Sequence, residues 1–131
     1  MAEIAAKALK EVSYHLERSS DLVVRLGDGT EESHARMQAA LDKVWPYTGE
    51  MFAADGVDEA VAEAGIAPEL SELLPLWQRT VAEVLSEATL SQPDRDFAAQ
   101  KGGKQGRHTE HLGYILAEMQ FLQRAYPGAS W

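Results

Sequence analysis

The chain has 131 residues, the length of one domain. Apolar residues make up 45% of it, there is no cysteine, and the net charge is −9. These figures exclude a disulfide framework or a thiolate metal site, and they disfavour nucleic acid and anionic membrane as partners, since both need basic surface.

Met1-Ala2-Glu3 leads straight into helix-like sequence that reads as having no secretory h-region, and no stretch is long and apolar enough to span a bilayer. A cytoplasmic protein is the expectation. The first segment, Ala2 to Leu26, repeats Ile4, Ala8, Val12, His15, Ser19, Leu22, Val23 and Leu26 at three- and four-residue steps. That spacing predicts one apolar stripe on a helix of bundle length, about 37 Å. Gly27 sits where a C-cap glycine belongs.

Asp28 or Thr30 can cap the next helix, and Glu31 and Glu32 complement its positive end. This helix runs through Met37, Leu41, Val44, Trp45, Thr48 and Phe52, with a kink or break expected at Pro46 and an end at Asp55-Gly56. A short helix covers Val57 to Ala64 and stops at Gly65. Pro68 suits the first turn of the following element. Pro75 is expected to divide that element into a turn or two and then a longer helix through Trp77, Val81, Val84 and Leu85, closed by Ser91-Gln92-Pro93-Asp94. The glycine-rich stretch from Lys101 to Gly106 reads as too flexible for helix or strand. A last helix, Thr109 to Tyr126, places Leu112, Ile115, Leu116, Met119 and Leu122 on one face before Pro127-Gly128. No alternating strand pattern and no repeat is present. The reading is all-α, a single helical domain over residues 1–131.

Three constellations carry possible metal chemistry. Glu31 and His34 have the Glu-x-x-His spacing of di-iron bundles, but they open a helix, where acids also serve capping. Glu11 and His15 are one turn apart on the first helix, which supplies two ligands at most; a buried, hydrogen-bonded His15 is the plainer reading. His108 and His111 lack a third ligand nearby. Met37, Trp45, Phe52, Trp77, Met119 and Phe121 read as core. One positive segment interrupts the acidic chain: Arg95, Lys101, Lys104 and Arg107 stand against the single acid Asp96. Its glycines and its place before a helix N-terminus suit an anion, although it matches no named phosphate motif, so a plain solvated loop is the alternative.

Several strings are similar to one family. They are Lys10-Glu-Val-Ser-Tyr-His15, Arg25-Leu-Gly-Asp-Gly-Thr-Glu-Glu-Ser-His34, Trp45-Pro-Tyr-Thr-Gly-Glu-Met-Phe52, Gly103-Lys-Gln-Gly-Arg-His-Thr-Glu-His-Leu-Gly113, and Leu116-Ala-Glu-Met-Gln-Phe-Leu-Gln-Arg124 with the ending Pro127-Gly-Ala-Ser-Trp131. Together they resemble the C-subunit family (PaaC) of ring-1,2-phenylacetyl-CoA epoxidases, bacterial multicomponent oxygenases of phenylacetate breakdown. The resemblance implies a ferritin-like helical bundle, here a half-bundle plus C-terminal helices. It implies a non-catalytic subunit that pairs with a homologous di-iron subunit, which epoxidises the ring of phenylacetyl-CoA with electrons from an NADPH-dependent reductase. No cofactor is expected in this chain. On the equivalent helix the catalytic partner has Glu-Glu-x-x-His, with its second Glu and its His as iron ligands. Val12 stands at that Glu position and His15 remains, so the site at Glu11 and His15 is expected to be degenerate. The chain corresponds to the C-terminal half of the family, starting at the last helix of the four-helix core. An uncovered stripe on that helix points to a homo-oligomer. Lys101, Lys104 and Arg107 become candidate contacts for coenzyme A phosphates or for a partner's acids. The alternative reading is a self-associating, ferritin-like metal-binding protein that rebuilds a site from Glu11, His15 and symmetry mates; an unrelated helical adaptor is a third.

Overall fold

A computed structural model describes residues 2–130. It is all-helical, with no strand among the described residues, and it is consistent with part of a ferritin-like bundle. The chain divides into two compact units, one running to Gln100 and one beginning at Lys101.

The first unit opens with α1, Ala2–Gly27. Glycine closes this helix for a packing reason. Gly27 is buried with an ordinary backbone, and an added Cβ would lie 2.5 Å from the Ala88 carbonyl oxygen and 2.8 Å from Ala88 Cβ. The expected left-handed cap is therefore absent; the residue is small because another segment crosses there. After a short turn, Thr30 caps α2, Glu31–Val44, accepting the Ser33 N–H at 3.2 Å. Asp28 does not act as the cap.

The break at Pro46 is real. The chain tightens into a 3₁₀ helix, Trp45–Phe52, with the proline in its first turn. Asp55 then starts α3, Gly56–Glu63, through a reciprocal capping box with Asp58. Gly65, at φ +67°, follows its end.

Helix α4, Leu70–Glu87, departs from expectation at both prolines. Pro68 lies ahead of its N-terminus, not in the first turn. Pro75 sits inside the helix without dividing it, because the carbonyl it leaves unpaired belongs to exposed Ser71, where water can take the bond. The helix also ends before Ser91. Thr89 adopts φ +59°, and the Leu90 N–H reaches the Leu85 carbonyl at 2.9 Å while the Thr89 N–H reaches Ser86 at 3.2 Å. This is a Schellman closure with threonine in the place glycine usually takes.

The core of this unit is small. Leu85, Ala88 and Leu90 are buried, with Val23 and Val24 of α1, Met37 and Leu41 of α2, and Val81 of α4 packed around them. Beside it, buried Trp45 and half-buried Phe52, Trp77 and Phe97 form an aromatic cluster, with ring centroids 5.3–6.5 Å from Trp77. Offset and tilted rings at such spacings attract. Two backbone bonds stitch the segment after Asp96 to the 3₁₀ helix: Gly49 N–H to Phe97 O at 2.8 Å and Gln100 N–H to Pro46 O at 3.0 Å.

The second unit holds the basic loop and α5, Glu110–Ala125. The loop is more ordered than its glycines suggest, with a short 3₁₀ turn at Gly103–Gln105. Along α5, Ile115, Leu116, Met119, Phe121 and Leu122 are exposed, so Met119 and Phe121 are not core as expected. Among its described residues this unit has no second long helix for that face to pack against.

Candidate functional site

Every residue from 2 to 19 of α1 is exposed, and the helix is anchored only through its last turns, where Val23, Val24 and Gly27 pack. At 100° per residue these anchors lie on one side of the helix, and Ile4, Ala8, Val12, His15, Leu22 and Leu26 on another, roughly a third of a turn away. The stripe read from the sequence is thus mostly not the surface that packs within this chain. Ile4 is 69% exposed, Val12 59% and Leu22 42%. The charged residues Glu3, Lys7, Lys10, Glu17, Asp21 and Arg25 occupy the far side, leaving an apolar arc along about 27 Å of helix with no cover.

His15 lies in this arc and is exposed, which corrects the expectation of a buried, hydrogen-bonded histidine; its ring neighbour is Tyr14, with centroids 6.0 Å apart. The core does not reach that far along α1. Glu11 is exposed and forms no ion pair with Arg18; the ion pair on this helix joins Asp21 and Arg25 at 3.6 Å. Val12 cannot ligate a metal. Among the described residues no three His, Asp or Glu side chains converge as a metal site would require. The donor set on α1 does not fit a di-iron centre.

The other histidine motifs resolve separately. His34 Nδ1 lies 2.7 Å from the Gly27 carbonyl oxygen, so this nitrogen carries the proton and donates to the end of α1. Thr89 Oγ1 approaches the same carbonyl at 3.4 Å. Glu31 stays exposed, and it is His34 that serves the α1–α2 turn. His108 and His111 are both exposed.

In the basic loop the Arg107 N–H closes onto the Gly102 carbonyl at 2.8 Å, between glycines at φ +107° (Gly102) and +83° (Gly106). The Arg107 side chain lies over Gly102, where an added Cβ would stand 2.9 Å from Arg107 Cδ. Lys101, Lys104 and Arg107 all face solvent on this closed turn.

Sequence reading missed two joints. Gln38 grips Ser91 at both ends of its backbone, donating to the carbonyl at 2.9 Å and accepting the N–H at 2.9 Å. Phe97 completes the aromatic cluster. Neither has a local signal, because each partner is about 50 residues away in sequence or is met only through the fold.

A model of the phenylacetic acid catabolic protein family matches residues 1–131. The chain belongs to this family. It is 48% identical over all its 131 residues to the C subunit of the 1,2-phenylacetyl-CoA epoxidase of Escherichia coli (strain K12), and it spans 52% of that protein's length. As a member of the phenylacetic acid catabolic family it thus covers about half of the curated relative it matches. No helix among the described residues is long and apolar enough to cross a membrane.

Proposed function

We propose that the chain is a non-catalytic structural element of a multicomponent oxygenase that epoxidises the ring of phenylacetyl-CoA, docking through the α1 stripe onto a homologous di-iron subunit. The uncovered apolar arc of α1 supports this most directly. Soluble proteins seldom leave so long an apolar face to water, and the family resemblance puts Val12 of this face at the position of an iron ligand in the catalytic subunit. Its identity to an epoxidase C subunit supports the substrate class. Lacking that partner, the same face meets a second copy of the chain. The basic loop contributes contacts to the coenzyme A phosphates or to partner acids.

The test is co-purification of the chain with the family's di-iron subunit, using Val12→Asp. Val12 is exposed, so the variant keeps its helical content and melting temperature. Its affinity for the partner falls about tenfold or more, as expected for a charge placed in an apolar contact. Unchanged affinity would remove α1 from the interface.

A further inference from the structure

We propose that the cleft between α4 and the segment after Ser91 is a binding site for a small monocyclic aromatic carboxylate. The cleft, of about 270 Å³, is lined by Trp45, Trp77, Val81, Gln92, Arg95 and Phe97, among others. It lies just below the size range of ordinary small-molecule pockets, ~300–1,000 Å³, so it suits a single-ring ligand.

Its walls are built in advance. Trp45 is buried, and Trp77 stacks on Phe97 with centroids 6.5 Å apart and planes 18° from parallel. Phe97 is held by the bond from Gly49 N–H to its carbonyl, and Ala98 seats against Gly49, where an added Cβ would lie 2.7 Å from Ala98 Cα. The Asp96 carboxylate accepts the Ala98 N–H at 2.9 Å, which fixes the backbone next to Arg95. Aromatic walls held this way offer apolar contact to a planar ring at little cost in ordering.

Arg95 sets the charge of the ligand. It is the single charged residue lining the cleft, and it makes no ion pair among the described residues. On a chain of net charge −9, an unpaired guanidinium that lines a cleft with three aromatic residues is complementary to a ring that carries an anion. Arginine's planar fork matches a carboxylate through two parallel hydrogen bonds. Gln92 adds an amide that can donate to the same group.

The experiment titrates the chain with phenylacetate, phenylacetamide and cyclohexylacetate, read by tryptophan fluorescence and calorimetry, with Arg95→Gln in parallel. Arg95 is exposed, so the variant keeps the fold, and unchanged far-UV dichroism checks this. Phenylacetate saturates a single site, while the amide and the saturated ring each bind about tenfold more weakly. Arg95→Gln weakens phenylacetate about tenfold and leaves the amide as it was. Absence of saturable binding, or equal binding of acid and amide, overturns the proposal. So does an Arg95→Gln variant that binds phenylacetate normally. None of these readings depends on the oxygenase partner.

Discussion

Two backbone positions show how single residues hold this fold. At Gly27 the neighbouring chain approaches so closely that a methyl group would overlap Ala88. Alanine is ordinarily better than glycine in a helix by about 0.5–1 kcal/mol, but overpacking against backbone costs about 1–3 kcal/mol. Gly27→Ala is therefore expected to destabilise the chain by about 1–2 kcal/mol, measured by urea unfolding. Thr89 presents the reverse case. A β-branched residue at φ +59° carries strain of about 1–2 kcal/mol, and its hydroxyl contacts, at 3.4 Å, recover little. Part of the relief is lost to glycine's freer unfolded state. Thr89→Gly is expected to raise stability by about 0.5–1 kcal/mol in the same assay.

At the scale of elements, helix propensity and helix burial come apart. Helices α1 and α5 both form where their periodicity puts them, yet both keep apolar faces in solvent. Amphipathic spacing states that a face is to be covered and is silent about what covers it. The loop before α5 shows a different separation. Its glycines read as flexibility, whereas Gly102 and Gly106 take left-handed conformations that close the loop on the Gly102 carbonyl. An ordered turn can present cations at lower entropic cost than a free loop. Replacing Lys101, Lys104 and Arg107 together by alanine is expected to weaken complex formation or coenzyme A affinity at low salt, with a smaller effect at moderate salt as screening grows. Unchanged values for both ligands would leave the loop a connection only.

For the molecule as a whole, the expected consequence is association. An apolar arc of about 27 Å on α1, ending in a modest core around Leu85, Ala88 and Leu90, suits a chain that completes its packing with another. Light scattering at micromolar concentration is expected to give a mass above the 14.4 kDa monomer for the isolated chain, and Val12→Asp to lower it. A sharp monomer mass with cooperative unfolding would oppose this. Refolding with ferrous iron is expected to leave no stoichiometric metal, and His15→Ala to change nothing. A di-iron site takes about six ligands from four helices, and α1 brings a lone exposed Glu11–His15 pair.

Local chemistry is enough to read much of this from the residues alone. Helix positions follow from a 3.6-residue period. The break at Trp45 follows from Pro46, and a polar cap at the start of α2 follows from Asp28 and Thr30, between which the fold uses the threonine. Family membership was likewise legible, because it rests on ordered strings of residues. What needed three dimensions was every property that depends on a distant neighbour. Gly27 is small because Ala88 crosses it, Gln38 bonds Ser91 across 53 residues, Pro75 is tolerated because Ser71 faces water, and His15 is exposed because the core stops near Val23. Periodicity along one helix specifies which side chains share a face, but burial is decided by what that face meets, and that information lies elsewhere in the chain or in a partner.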